Sequence, residues 1–151
     1  MGVAALRHRL RGWKSVALDT SVFAYQLLDH PDYAPLTELI LHSVETGRLR
    51  GVTTTIALAE ILTQAEQEAN AQAAMDYEAY LTLFPNLTLM PVDVQLAKAA
   101  ARVRAQLRLK LPDAIQVAAA LMAKVDALIT NDRELQKKVT DPAVVLLSDF
   151  V

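Results

Sequence analysis

Four acidic residues are set apart by what surrounds them: Asp19, Glu60, Asp113 and Asp132. Asp19 follows the short apolar run Val16-Ala17-Leu18, where a buried strand ends and rigid backbone meets solvent. In open α/β sheets, ligands bind in the crevice outside the carboxyl ends of the strands. Asp132 comes two residues after a second such run, Ala127 to Thr130, which places it at the same edge. Glu60 interrupts the apolar series from Ile56 to Leu62. A helix this apolar is expected to be largely buried, and a buried carboxylate without a partner is costly or takes up a proton, so a nearby Arg, an exposed edge of the helix or a metal must account for Glu60. Asp113 follows Pro112 at the start of a helix, where a proline and an acid satisfy the helix dipole unaided. The residues after it, Ala114 to Leu121, are nearly all apolar, however, so this helix start is expected at the sheet edge and not in open solvent.

Each acid alone has an ordinary explanation as a cap, a turn residue or a surface charge. Four at one edge do not, because clustered like charges repel unless a cation or shared protons neutralise them. The donor set is all oxygen, which suits a hard ion such as Mg²⁺ or Mn²⁺ over zinc. His8, His30 and His42 fall in no ligand spacing and read as surface residues. Asp126 precedes its strand and belongs to the opposite edge, Asp93 reads as a helix N-cap, and Glu66 and Glu68 read as a solvated face.

The elements that must position these acids alternate in kind. Strands are expected at 16–19, 51–55, 87–92, 127–130 and 144–147. Between them, hydrophobic spacing and breakers predict helices at about 22–29, capped by Ser21, at 36–47, 56–68, 71–83, 93–107, 112–124 and 133–139. Strands separated by helices of ten or more residues imply parallel crossovers and a sheet covered on both faces, an α/β fold. Residues 4–14 read as a short basic helix or a frayed arm ending at Gly12.

The totals narrow the class. A chain of 151 residues is long enough for one domain with a proper core. It is 53% hydrophobic with mean hydropathy +0.22, yet no run approaches the roughly 18 apolar residues of a membrane span. Met1 to Lys14 lacks the apolar block and cleavage site of a signal peptide. The absence of cysteine excludes disulfides and thiolate metal sites and makes the cytoplasm the expected compartment. A net charge of -2 argues against nucleic-acid binding at first sight. Setting four acids aside in a metal site turns the remaining surface slightly basic, so net charge decides little. There is no G-x-G-x-x-G, no phosphate-binding P-loop and no G-x-S-x-G elbow.

The segments Asp19-Thr-Ser-Val-Phe, Ala59-Glu60-Ile-Leu, Leu111-Pro-Asp113-Ala-Ile-Gln-Val and Ile129-Thr-Asn-Asp132-Arg-Glu-Leu resemble the four acidic motifs of the PIN domain, in order. Within that family the chain looks most like a VapC-type toxin ribonuclease of a toxin-antitoxin pair. The resemblance covers about residues 15–150. It implies a three-layer α/β/α fold with a central parallel sheet of four to five strands, and metal-dependent cleavage of single-stranded RNA. It also implies a homodimer and a cognate antitoxin as protein partner. Asp19, Glu60, Asp113 and Asp132 become the catalytic, metal-binding acids for Mg²⁺ or Mn²⁺, with Ser21 and Asn131 as polar helpers. Arg133, Arg108 and Lys110 are candidates for phosphate contacts on the RNA substrate. Residues 1–14 depart from the family as an extension before the domain at 15–151, and are expected to be disordered or loosely packed.

Two other classes compete. A PIN-like module could pair with a partner chain without catalysis, or the nuclease could serve housekeeping RNA processing. A phosphatase with Asp19 as covalent nucleophile is weaker, because Asp19-Thr20-Ser21 lacks the second acid two residues on that such enzymes carry.

Overall fold

The computed structural model describes residues 2–151. Its centre is a five-stranded, all-parallel sheet in the order β3-β2-β1-β4-β5, built from β1 (Ser15–Leu18), β2 (Arg50–Thr54), β3 (Leu87–Met90), β4 (Ala127–Thr130) and β5 (Ala143–Leu146). The apolar run before Asp19 is the central strand. Its side chains alternate between the two faces, as strand geometry requires. Val16 and Leu18 join one hydrophobic cluster, with Phe23, Ile40 and Ile61, and Ala17 joins the other, with Leu96, Val117 and Leu128.

The helices cover both faces. They are α1 (Gly2–Arg9), α2 (Thr20–Leu27), α3 (Ala34–Glu45), α4 (Thr55–Gln67), α5 (Ala71–Thr82), α6 (Val94–Leu107), α7 (Leu111–Met122) and α8 (Arg133–Lys138). A 3-10 turn over Leu147–Phe150 follows β5. In α6 the buried positions Leu96, Ala100 and Val103 form one stripe, and Asp93 caps the helix by accepting from the Leu96 N–H at 2.9 Å. α7 is buried from Ala114 to Ala120, as its composition demanded, and its alanines let α6 and β2 approach closely. A polar pair lies within this interior: Thr54 donates from Oγ1 to Gln116 Oε1 at 2.9 Å.

Two expectations are corrected. The first concerns the extension before the domain, which over its described residues 2–14 is neither loose nor frayed. α1 buries Leu6 completely and the turn after it buries Leu10, both in the cluster that holds Val16 and Ile40. A Cβ at Gly2 would collide with the Phe150 carbonyl oxygen, so glycine lets the start of α1 lie directly on the last turn of the chain. The second concerns the cap of α2. Asp19, not Ser21, is the N-cap, so the helix begins at Thr20, and Ser21 falls inside the first turn.

Candidate active site

Asp19 stands at the carboxyl end of the central strand, and its backbone continues the ladder by donating to the Ile129 carbonyl at 3.0 Å. Its side chain is held at both oxygens. Oδ1 accepts from the Thr20 N–H at 2.8 Å, and Oδ2 accepts from Thr130 Oγ1 at 2.7 Å. Thr130 is the last residue of β4 and is fully buried. The same Oγ1 accepts from the Asp132 N–H at 3.0 Å, so one hydroxyl ties the carboxylate after β1 to the loop after β4. Asp132 caps α8 in turn, its Oδ1 accepting from the Glu134 N–H at 2.8 Å.

Glu60 comes from α4. Its buried stripe is Ala57, Ile61 and Ala65, and Glu60 lies off it, exposed. Of the alternatives the sequence leaves open for Glu60, the exposed edge of the helix is the one observed: apolar composition tells how hydrophobic the helix is, and the packing of α4 against α2 and the sheet chooses which face is covered. What draws Glu60 to the site is Thr20, whose Oγ1 donates to Glu60 Oε1 at 2.6 Å. Thr20 thus touches one acid through its hydroxyl and another through its amide. Neither Thr20 nor Thr130 was singled out from the sequence, although both lie next to or within two residues of an acid at a strand end.

Asp113 sits in the first turn of α7, half-buried, with Pro112 before it. Burial pushes its carboxyl up to about 6, and the negative charges of Asp19, Asp132 and Glu60 push the same way, against the nearby Lys110 ammonium. Burial also raises the Asp19 carboxyl, opposed by the Thr130 and Thr20 hydrogen bonds and reinforced by Glu60 and Asp132. The four acids, from four separate elements, therefore share one electrostatic neighbourhood. Among the described residues the one ion pair is Lys138 with Glu134 at 3.1 Å, so no base pairs with any of them. An all-oxygen, uncompensated donor set fits a hard divalent cation. Among the described residues, however, no three acidic or histidine side chains already converge as a metal-holding group.

The remaining expected residues divide. Asn131 bridges three segments: its Nδ2 donates to the Tyr25 hydroxyl at 2.9 Å, and its Oδ1 accepts from the Ser148 N–H at 2.9 Å. Ser21 makes no such link; its Oγ is buried without a hydrogen-bond partner. Arg133 opens α8, while Arg108, in a left-handed conformation, and Lys110 flank the loop into α7. All three are exposed, and the Arg108 carbonyl accepts from Lys138 Nζ at 3.1 Å, which joins that loop to α8. Asp126 lies at the other edge as expected, its Oδ2 accepting from the Lys14 and Ser15 amides. Beside Thr20 and Glu60, a groove lined by Ala24, Leu27, Leu28, Ile61 and Tyr77 runs between α2, α4 and α5.

Several solved structures share this fold. A toxin-antitoxin complex from Klebsiella pneumoniae is 20% identical with a TM-score of 0.63, covering 87% of this chain and 97% of that one. VapBC2 from Rickettsia felis, bound to a DNA fragment from its promoter, is 16% identical with a TM-score of 0.68, covering 87% and 98%. VapC20 from Mycobacterium tuberculosis, a toxin that cleaves the sarcin-ricin loop, is 16% identical with a TM-score of 0.61, covering 75% and 86%. No curated protein matches the sequence. The PIN domain family model matches residues 16–141, a span that begins within β1 and includes all four acids. The chain belongs to the PIN domain family.

Proposed function

We propose that this protein is a divalent-metal-dependent endoribonuclease that cleaves single-stranded RNA and acts as the toxin of a toxin-antitoxin pair. The observation that carries the reading is the gathering of Asp19, Glu60, Asp113 and Asp132 at one sheet edge without a basic partner among the described residues, with mutual repulsion helping to hold Asp113 near 6. Such a site is stable at neutral pH when a cation balances it. Asp19, Glu60, Asp113 and Asp132 would hold a Mg²⁺ or Mn²⁺ ion, which would supply Lewis-acid activation of water and charge neutralisation at the phosphate. The chain's own part is placement. Thr130 fixes Asp19 and the Asp132 loop together, and Thr20 fixes Asp19 to Glu60. Water attacks phosphorus, the bond to the 3'-oxygen breaks, and that oxygen leaves with a proton. The products carry 5'-phosphate and 3'-hydroxyl ends. Arg133, Arg108 and Lys110 are the candidates for phosphate contacts, Asn131 ties the β4–α8 loop to Tyr25 and Ser148, and Ser21 remains a candidate polar helper. The similar complexes from Klebsiella and Rickettsia support a cognate antitoxin as partner, and we assign a homodimer and a cytoplasmic location to the same reading.

Mg²⁺-dependent cleavage of total RNA, with end-mapping of the products, tests the activity. Asp19→Asn must abolish it; persistent Mg²⁺-dependent cleavage by that variant would sink the site assignment. Growth arrest on expression, relieved by a co-expressed antitoxin, tests the biological role. A non-catalytic binding module is the competing reading, favoured by the absence of a converged metal-holding group among the described residues. It requires that neither cleavage nor metal binding be detectable.

A further inference from the structure

The acids occupy the carboxyl ends of the strands, and the opposite edge carries the reverse charge. Arg7, Arg9, Arg11 and Lys14 belong to α1 and the segment leading into β1, and Arg48 and Arg50 to the approach to β2 and its first residue. The fold brings these two segments together. Arg50 pairs in register with Ser15, and its amide donates to the Lys14 carbonyl at 2.9 Å. Arg7 and Arg48 line one small cavity with Leu10 and Leu49. Arg9 lies over the Trp13 ring at 4.7 Å, beside the same turn.

All six side chains are exposed, and among the described residues none forms an ion pair. Two acids approach. Asp126 accepts from the Lys14 and Ser15 amides and lies in the field of the Lys14 and Arg50 side chains without forming an ion pair, and Glu38 lies along a second cavity beside Arg7 without pairing to it. Six of the chain's 15 Lys and Arg residues thus stand on one edge of a protein whose net charge is -2. α1, which supplies much of this charge, lies outside the 16–141 span of the family match, yet Leu6 and Leu10 anchor it in the core.

We infer that this basic edge is a second nucleic-acid contact surface, binding the phosphate backbone of an RNA whose scissile segment lies at the acidic edge. Four carboxylates weaken the long-range pull on a polyanion, so basic charge away from the site favours its approach, and arginine forks match phosphate oxygens in pairs. Strands of four residues separate the two edges by about 13 Å, a span that a few nucleotides of single strand or one side of a folded RNA covers. The surface favours long or structured RNA over short fragments. The choice of RNA among polyanions rests on the ribonuclease reading; the binding itself does not.

The test is anisotropy of a labelled RNA of about 30 nucleotides with the full chain in EDTA across a KCl series, so that binding is read whether or not the protein cleaves. Arg7→Gln/Arg9→Gln/Arg11→Gln, which keeps Leu6 and Leu10, should weaken binding about tenfold and reduce the slope of log affinity against log salt by about 2. Arg48→Gln/Arg50→Gln, on the other segment, should shift both quantities in the same direction, and an Arg→Lys version of the triple variant should retain most of the slope. Mg²⁺-dependent cleavage of a short oligonucleotide should be unchanged in both Gln variants. Unchanged affinity and slope overturn the inference, as does weakening in only one of the two segments. Displacement of the RNA by polyglutamate as readily as by poly(U) also overturns it, since the surface would then accept any polyanion.

Discussion

Asp113→Asn separates the electrostatic account of the site from a merely structural one. Without metal, the folded chain raises the Asp113 carboxyl from 3.8 to about 6. The proton is therefore bound more tightly in the folded state than in the unfolded one. The stability this contributes is fully present below 3.8 and is lost as pH rises through about 6, so at neutral pH the ionised group is a net cost. Taken at face value the difference is about 3 kcal/mol, at about 1.36 kcal/mol per tenfold change in proton affinity. Asp113 is only partly buried, and screening by solvent reduces the cost to about 1 kcal/mol. Asparagine imitates the protonated acid and removes that cost. In EDTA at pH 7.5, the variant should melt about 2–4 °C above the parent, and the gain should vanish near pH 4. Thermal unfolding followed by circular dichroism at both pH values measures this directly, with other acid effects shared by the two proteins. RNA cleavage by the same variant should fall to background. A variant less stable at pH 7.5 than the parent, or a gain independent of pH, would refute the argument that burial, with the neighbouring acids, holds the Asp113 carboxyl above its ordinary value.

Other outcomes follow from the same geometry. Mn²⁺ should raise the melting temperature of the parent by ligand linkage, and by much less in Asp19→Asn or Asp113→Asn; an equal rise in all three would place the ion elsewhere. Thr130→Val keeps the shape of a buried residue but deletes the bond to Asp19 and the acceptor for the Asp132 amide, so cleavage should drop about 10- to 100-fold with the fold intact by circular dichroism. Leu6→Ala should cost about 2–5 kcal/mol in denaturant unfolding, because the side chain is completely buried; a negligible loss would mean that α1 is not part of the core in solution.

Similar features came through the sequence with unequal clarity, and the difference is physical. Strand and helix existence follows from local signals: period-2 and period-3.6 spacing, proline and glycine breaks, and the Asp93 cap were read correctly because each depends on neighbours a few residues away. One boundary shifts because two neighbouring residues could both serve as the cap. α2 starts at Thr20 because Asp19 caps it, a role Ser21 could have taken on local grounds alone.

Residue types and their spacing set the chemistry on offer: four acids, no cysteine, apolar strands that leave Asp19 and Asp132 at one edge, and an α7 too apolar to lie anywhere but inside. Tertiary structure decided how these acids are held. Thr130 and Asp19 are 111 residues apart and Thr20 and Glu60 are 40 apart, so neither bond has a local signal in the chain. It also decided that Glu60 is exposed, since a helix's composition fixes its hydrophobicity but only its partners choose the face they cover. Likewise the burial of Leu6 depends on α3 and the last turn at Leu147–Phe150, and without those distant surfaces α1 would read as no more than a basic arm.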